Sequence, residues 1–273
     1  MVINSEVQSE VVQTKPIVIG PDLRVGGNDI VLMAGPCSVE SFEQTRAAAE
    51  AVYSLGGRVL RGGAFKPRTS PHSFQGLGVA GLEILRTVAD EFGLLVITEA
   101  LGVEHVPLMA EYADIIQIGS RNMQHFPLLW AVGELDRPVL LKRGFMATVD
   151  EWLQAAEHIA DHGNERIILC ERGIRSFDPA TRNTLDTNAI ALAKQSSPFP
   201  VVGDPSHATG RTDLVIPAAR AALAAGADGL LVEIHPHPGE ALSDGDQALP
   251  LSMLPLLATD AGRIAGAMGR RLV

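Results

Sequence analysis

The sequence predicts an α/β protein, a (β/α)8 TIM barrel with a short N-terminal β-hairpin extension. Two observations predict this fold. Eight short apolar runs rich in β-branched residues recur along the chain, and each leads into a longer segment of helical character. The length of 273 residues also suits a single barrel, which typically takes about 250 residues.

The N-terminal segment predicts a tail followed by a hairpin. Residues 17–30 contain two short β-prone pieces around Pro21-Asp22 and Gly26-Gly27, a pattern that indicates a hairpin closing the bottom of the barrel. We therefore expect residues 1–28 to form the tail and hairpin, and residues 29–273 to form the catalytic barrel.

Strands and helices then alternate along the rest of the chain. The apolar runs, each with the residues that follow it, are 31–38, 58–70, 94–100, 115–121, 138–144, 166–173, 200–207 and 229–235. The first helix begins at a predicted capping box, Ser41-x-x-Gln44, and stops at Gly56-Gly57. The other predicted helices are 77–92, 104–112, 124–133, 149–162, 185–195, 211–225 and 250–268.

The composition restricts the class of function. A net charge of -10 and a pI near 5.2 argue against a nucleic-acid surface, and no apolar run approaches the roughly 20 residues that span a bilayer. The polar, acidic N-terminus does not resemble a signal peptide, so we expect a cytoplasmic protein with no membrane partner. Its two cysteines, Cys37 and Cys170, are expected to be free thiols or metal ligands.

Four metal-ligand side chains follow strands that become neighbours when the barrel closes. Cys37 follows the first barrel strand, His207 the seventh, Glu233 lies in the eighth, and Asp244 lies in the loop after it. One thiolate, one imidazole and two carboxylates predict a site for one divalent metal ion: Mn, Fe, Co or Zn. Taken singly, Cys37 also suits a small buried apolar residue and His207 a helix cap, and His235 is a second-choice ligand.

Cations also gather at the strand ends, although the protein is acidic. Arg and Lys side chains there suit phosphate and carboxylate groups, so they predict a small anionic ligand. The alternative is a structural ion-pair network with Glu99, Glu171 and Asp204, an interpretation that has most weight for Arg143. The predicted anion-binding residues are Arg61, Lys66, Arg68, Thr69, Arg121, Lys142 and Arg172.

At these residues the chain resembles the 3-deoxy-D-arabino-heptulosonate 7-phosphate (DAHP) synthases of the type I-beta class. The resemblance spans nearly the whole barrel. The matching segments are AGPCSVES (34–41), LRGGAFKPRTSPHSFQGLG (60–78), ITEA (97–100), QIGSRNMQ (117–124), LLKRG (140–144), ERG (171–173), GDPSHATG (203–210) and VEIHPHPGEALSDG (232–245).

The resemblance implies condensation of phosphoenolpyruvate with D-erythrose 4-phosphate, the first step of the shikimate pathway of aromatic amino acid biosynthesis. It implies that Arg68 and Thr69 hold the aldose phosphate. The residues that it implies for phosphoenolpyruvate binding are Arg61, Lys66, Arg121, Lys142 and Arg172. Lys142 is the candidate proton donor, and Glu99 is the candidate group that positions or deprotonates water. Asp204 is expected to orient His207 or the substrate hydroxyls.

Two other interpretations stay open at this point. A metal-dependent 3-deoxy-D-manno-octulosonate 8-phosphate synthase would use arabinose 5-phosphate, but related enzymes of that kind carry Lys-Ala-Asn-Arg-Ser where this chain has Lys66-Pro67-Arg68-Thr69. His72, where many relatives have Tyr, is a departure beside the aldose-phosphate residues. An inert binding barrel is the non-enzyme alternative, although every expected ligand and cation is present.

Partners are predicted from the resemblance. The substrates are small phosphorylated molecules, and barrels of this family associate through their outer helices, so a homodimer or homotetramer is expected. Because the segment of about thirty residues before the first barrel strand offers no apparent pocket for an aromatic amino acid, we expect the protein alone to be insensitive to phenylalanine, tyrosine and tryptophan, unless a separate partner such as a chorismate mutase supplies the control.

Overall fold

A hairpin precedes the barrel, as the sequence predicted. The computed structural model describes residues 12–66 and 70–273, so the predicted tail up to residue 11 lies outside the described residues. Strands β1 (Ile17–Gly20) and β2 (Leu23–Val25) pair antiparallel around the turn at Pro21-Asp22.

Eight parallel strands of the described chain close into a barrel. In chain order they are β3 (Asp29–Gly35), β4 (Val59–Arg61), β5 (Leu95–Ala100), β6 (Ile115–Ile118), β7 (Val139–Lys142), β8 (Ile167–Glu171), β9 (Val201–Gly203) and β10 (Gly229–His235). Each strand pairs with the next, and β10 pairs with β3 to close the ring. The predicted (β/α)8 barrel is confirmed.

Helices connect successive strands and cover the outside of the barrel. They are α1 (Phe42–Ser54), α2 (Val79–Phe92), α3 (Val106–Tyr112), α4 (Phe126–Gly133), α5 (Val149–Ala160), α6 (Thr187–Ser196), α7 (Pro205–Thr209), α8 (Thr212–Ala224) and α9 (Leu254–Ala267). The eight predicted helices correspond to all of these except α7. That short helix was not predicted. It overlaps the end of the run 200–207, and the Asp204 side chain caps its N-terminus.

The predicted capping box of α1 is only half formed. Ser41 Oγ accepts a hydrogen bond from the backbone N–H of Gln44 at 3.1 Å, as expected. The Gln44 side chain, however, accepts from the backbone N–H of Glu40 at 3.3 Å rather than from that of Ser41.

The core has two apolar layers. The larger lies between the barrel and its helices, and the smaller fills the barrel interior. Hairpin residues Ile17, Ile19, Leu23 and Val25 are buried in the smaller layer, so the hairpin plugs the N-terminal end of the barrel, as predicted. The hairpin therefore leaves the C-terminal end of the barrel open, and barrels of this kind carry their catalytic groups at that end.

Both ends of the described chain lie at the plugged face. Lys15 N–H donates to the Pro198 carbonyl at 2.8 Å, just before β9 begins. At the other end, β12 (Arg271–Leu272) pairs with the start of β3, after β11 (Leu249–Pro250) has paired with the end of β10. No described helix combines the length and the apolar character that a bilayer-spanning segment needs.

Candidate active site

A polar cavity of about 340 Å³ opens at the C-terminal ends of the strands. Its wall combines cations, two acids, hydroxyls and one aromatic ring. The lining residues are Lys66, Ser70, Ser73, Glu99, Gly119, Ser120, Arg121, Lys142, Phe145, Arg172, Arg182, His207 and Asp244.

Three of the four predicted metal ligands meet beside this cavity. One ligand atom each from Cys37, Glu233 and Asp244 lies within 4.8 Å of the others. The pairing of β3 with β10 sets Gly35 opposite Glu233, which brings Cys37, two residues further on, close to this carboxylate. Asp244 adopts a left-handed backbone conformation at φ 50°, which Asp tolerates better than most residues.

His207 lies against this group but outside its closest set. Its Nε2 is 3.3 Å from Glu233 Oε1, and its Nδ1 is 2.8 Å from Asp204 Oδ2. The same aspartate caps α7 by accepting the His207 backbone N–H at 2.9 Å. Asp204 therefore fixes the orientation of the imidazole, which is one of the two roles expected of it. The Nε2 atom is left directed at Glu233.

Burial and neighbouring charges shift the pKa values of these side chains. Burial, helped by the charge of Glu233, raises the pKa of the Cys37 thiol to about 11, and the thiol lies 3.2 Å from Asp244 Oδ2 as a donor. Burial also opposes ionisation of Glu233, but His207 and Arg61 outweigh it and lower the pKa of Glu233 to about 2. Burial lowers the pKa of His207, against the pull of Asp204, so the neutral ring that ligates metals is favoured.

The side chains present fit a divalent transition metal. Sulfur, carboxylate oxygen and imidazole nitrogen form the mixed donor set that such ions accept. A ligating histidine commonly donates its other ring N–H to a carboxylate, and Asp204 stands in that position.

Three of the predicted anion-binding cations are already paired with groups of the chain. Arg61 donates to Glu233 Oε1 at 3.0 Å, and Lys142 donates to Asp204 Oδ2 at 2.7 Å. Lys66 Nζ lies 2.9 Å from both the sulfur and the carbonyl oxygen of Cys37. These cations therefore also neutralise the buried acids around the metal ligands.

Arg121 and Arg172 have no carboxylate partner among the described residues. The side chain of Arg172 is buried, yet its one hydrogen bond goes to the Gly173 carbonyl at 3.3 Å. Burial lowers the pKa of this guanidinium, although the nearby charge of Asp204 opposes the shift. Both arginines line the cavity. Arg121 is exposed, whereas for the buried Arg172 a bound anion would supply the missing partner.

Arg143 belongs to a structural network, the alternative considered for it above. Its guanidinium donates to Glu171 and Asp186, both at 3.0 Å, and to the Ala147 carbonyl at 2.9 Å. Burial raises the pKa of Glu171 in spite of the opposing charge of Arg143. This network connects the segments that follow β7 and β8.

Glu99 is held at the cavity wall by its neighbours. Its Oε2 accepts from Gln117 Nε2 at 3.0 Å across the β5–β6 pair. A Cβ at Gly119 would overlap with Glu99 Oε1, so only glycine leaves room for the carboxylate there. The predicted position of Glu99 at a strand end is thus observed.

Other predicted residues lie in different surroundings. Arg68 and Thr69 are outside the described residues, although Ser70 from the same segment lines the cavity. His235 is 3.4 Å from Glu40 Oε2 and borders a separate pocket, away from the three-ligand group.

Among the residues that sequence reasoning missed, three contact charged side chains of this site. Arg182 donates to Gln247 Oε1 at 2.8 Å and lies 3.4 Å from Asp244, and Gln247 Nε2 donates to Glu233 Oε2 at 2.6 Å. Phe145 lines the cavity between arginines. Arg182 and Gln247 lie in loops distant from any strand end and carry no signal, whereas Phe145 follows Lys142-Arg143-Gly144 and could have been included.

Known proteins are similar in sequence to this chain. The chain matches the model of the DAHP synthetase I family over residues 6–261. It is 54% identical over 248 residues to phospho-2-dehydro-3-deoxyheptonate aldolase of Thermotoga maritima, covering 91% of this chain and 73% of that protein. A 2-dehydro-3-deoxyphosphooctonate aldolase of Geobacter sulfurreducens is 35% identical over 270 residues, covering 89% and 95%.

Solved structures are similar to this chain in fold and in sequence. The crystal structure of the Thermotoga maritima phospho-2-dehydro-3-deoxyheptonate aldolase (DAHP synthase) is similar, with a TM-score of 0.93 and 52% identity over 96% of this chain and 76% of that chain. A truncated form of 3-deoxy-D-arabino-heptulosonate 7-phosphate synthase from the same organism has a TM-score of 0.89 and 49% identity, covering 96% and 95%. By sequence, fold and family match together, the chain belongs to the DAHP synthetase I family.

Proposed function

We propose that this protein is a metal-dependent 3-deoxy-7-phosphoheptulonate synthase, a transferase that condenses phosphoenolpyruvate with D-erythrose 4-phosphate and releases phosphate. The observation that carries the proposal is one cavity that holds two arginines, Arg121 and Arg172, without carboxylate partners among the described residues, beside the group of Cys37, Glu233 and Asp244. The octulosonate alternative is not favoured, because those relatives are about 35% identical against 54% for the heptonate enzyme.

The reaction needs two anions held together and a new carbon–carbon bond. C3 of phosphoenolpyruvate bonds to the aldehyde carbon of erythrose 4-phosphate, water supplies the new oxygen on C2, and phosphate leaves. Arg121 and Arg172 would bind the phosphate and carboxylate of phosphoenolpyruvate, with Arg61, Lys66 and Lys142 completing the cationic wall. We assign the aldose phosphate to Arg68 and Thr69.

The proton transfers fall to groups that already face the cavity. Lys142, held at 2.7 Å from Asp204, would deliver a proton to the aldehyde oxygen as it gains negative charge. Glu99, which accepts a hydrogen bond from Gln117, would orient or deprotonate the attacking water. Asp204 serves both Lys142 and His207, so it connects the proton donor with the proposed metal ligands.

Cys37, His207, Glu233 and Asp244 would hold one divalent ion of Mn, Fe, Co or Zn. When bound, this ion would act as a Lewis acid that polarises the aldehyde carbonyl. The buried acids around it are matched by Arg61 and Lys66, which keeps the centre from carrying a large net charge.

A single assay series tests the proposal. Purified protein is given phosphoenolpyruvate with erythrose 4-phosphate or with arabinose 5-phosphate, before and after chelation, and both phosphoenolpyruvate loss and phosphate release are followed. We expect rapid turnover with erythrose 4-phosphate, loss of turnover after chelation, and recovery on adding a divalent metal. Faster turnover with arabinose 5-phosphate, or full activity in the chelated protein, would overturn the proposal.

We further propose that copies of the chain assemble as a homodimer or homotetramer in the cytoplasm, with aromatic amino acid control supplied by a separate partner such as a chorismate mutase. Both cysteines are free, which suits a reducing compartment. Leu256 on α9 is 49% exposed, and such apolar side chains favour association through outer helices. Light scattering would measure the assembly, and rates with added phenylalanine, tyrosine or tryptophan would reveal any control by the chain alone.

A further inference from the structure

One aromatic ring lies among the arginines of the candidate active site. Arg172 Cζ is 4.6 Å from the centroid of the Phe145 ring, and Arg121 Cζ is 5.6 Å from it. A third guanidinium, that of Arg175, also lies 5.6 Å from the ring. All three distances are within the range at which a cation is attracted to an aromatic face.

These contacts concern the cations that lack carboxylate partners among the described residues. Arg61, Lys66 and Lys142 are oriented by hydrogen bonds to the chain, so their geometry does not depend on an aromatic neighbour. Within the described part of the chain Arg121 and Arg172 have no such ion pair, and their like charges would drive the two guanidinium groups apart. The Phe145 ring offers both of them an attractive surface that leaves their N–H groups free to bind an anion.

The backbone that carries the ring is anchored on both sides of the cavity wall. The Phe145 carbonyl accepts the backbone N–H of Arg175 at 2.8 Å, which connects the turn after β7 to the segment after β8. The ring stands between the substrate cavity and a second pocket of about 400 Å³, because both are lined by Ser120, Arg121 and Phe145. Met146 lines only the second of these pockets.

We propose that Phe145 is a positioning residue for anion binding, whose ring holds the guanidinium groups of Arg172 and Arg121 at the cavity wall in the geometry that phosphoenolpyruvate requires. The inference rests on the proposed function, since it takes phosphoenolpyruvate as the anion. The ring touches no reacting atom in this account, so it acts entirely through the two arginines.

Direct binding of phosphoenolpyruvate to the metal-loaded protein tests the inference. Calorimetry would compare the wild type with Phe145→Leu, Phe145→Tyr and the neighbouring control Met146→Leu. We expect Phe145→Leu to weaken phosphoenolpyruvate binding by about 3- to 30-fold, the range that cation–π contacts supply. Phe145→Tyr keeps an aromatic face and should stay within about twofold of the wild type, as should Met146→Leu.

Kinetics supply the second readout. The KM for phosphoenolpyruvate should rise in Phe145→Leu by the same factor as the dissociation constant, while the KM for erythrose 4-phosphate changes less than about twofold. Phe145→Met replaces the leucine variant if circular dichroism shows that the latter is not folded.

The outcomes separate this inference from the proposed function. A wild type that binds phosphoenolpyruvate but does not react with erythrose 4-phosphate would defeat the proposed function and leave the binding comparison decisive for Phe145. Unchanged binding in Phe145→Leu, equal weakening in all three variants, or a wild type that does not bind phosphoenolpyruvate would overturn the inference.

Discussion

Cys37 and Cys170 are both buried thiols, but their surroundings differ. Cys37 lies among two carboxylates and the Lys66 ammonium, the arrangement of a ligand. Cys170 lies inside the barrel opposite Lys142 in the β7–β8 pair, and burial raises the pKa of its thiol beyond that of an ordinary cysteine. Residue type alone therefore does not distinguish Cys37 as the candidate metal ligand, because the neighbouring charges make the difference.

Replacing each cysteine in turn tests this difference. We expect Cys37→Ala to lose nearly all turnover and to retain substoichiometric metal after dialysis, with its fold intact, because one strong ligand is gone. Cys170→Ala should keep metal and turnover and lose about 1 kcal/mol of unfolding free energy through the small cavity created. Metal content, rate and melting temperature would be measured for both. Wild-type turnover of Cys37→Ala in metal-stripped buffer would contradict the assignment.

Gln247 acts on the proposed ligand Glu233 without being a ligand itself. Its amide donates at 2.6 Å to Glu233 Oε2 and accepts at 2.8 Å from Arg182. We expect Gln247→Leu to weaken metal binding by about 10- to 100-fold, the usual cost of removing a partner of a ligand. Titration of the metal-free protein with Co²⁺ would measure this. An unchanged affinity would show that Glu233 is held by Arg61 and His207 alone.

At the scale of single elements, glycines set how closely strand ends approach the site. A Cβ at Gly35 would overlap with the Arg61 backbone carbonyl, so this glycine permits the close contact of β3 and β4 next to Cys37. Gly119, directly after β6, makes room for the Glu99 carboxylate on β5 in the same way. The obstacle at Gly35 is rigid backbone, whereas at Gly119 it is the movable end of a side chain.

Gly119→Ala should therefore damage function more than folding. The new methyl group would push the Glu99 carboxylate away from Gln117 and the cavity, and we expect turnover to fall about 10-fold or more with little change in melting temperature. Gly266→Ala on α9 is the control, because a Cβ there meets nothing within 4 Å and alanine favours a helix. If Gly119→Ala keeps full turnover, Glu99 does not need its present position.

The sequence predicted those parts of the site that lie at strand ends, because strand order and barrel closure determine where such ends meet. Cys37, Glu233, Arg61 and Lys142 come together for this reason. It did not predict α7, since a five-residue helix depends on a single cap at Asp204 more than on periodicity. Nor did it predict Arg182 and Gln247, because loops far apart in sequence meet only through tertiary packing.

At the scale of the whole molecule, two buried aspartates mark the two faces of the barrel. Asp204 follows β9 at the open face and pairs with Lys142 at 2.7 Å. Asp228 precedes β10 at the plugged face and pairs with Lys194, also at 2.7 Å, and with Arg270 at 3.0 Å. Both are pairs of an aspartate with a lysine. A difference between replacing Asp204 and replacing Asp228, in activity or in stability, therefore reflects the face on which each aspartate lies.

Isosteric amides at these two positions should separate stability from activity. Asp228→Asn removes the charge that balances Lys194 and Arg270, and we expect a loss of about 1–3 kcal/mol of unfolding free energy with kcat/KM within about twofold of wild type. Asp204→Asn should lower kcat/KM by about 10- to 100-fold, because Lys142 and His207 lose their common partner. Thermal melts and initial rates would be recorded on both variants below their melting temperatures. A comparable loss of activity in Asp228→Asn would show that the two faces are coupled.

Val12 and Val273 both lie at the plugged face. A fused domain, an affinity tag or a solid support attached at either residue would therefore lie on the side of the barrel away from the substrate cavity. Val12 N–H donates to the Gln195 carbonyl at 3.2 Å and Val273 N–H to the Ile30 carbonyl at 2.9 Å. The substrate cavity opens at the opposite end of the barrel. Enzyme immobilised through either residue should thus keep the opening of this cavity exposed to the solution.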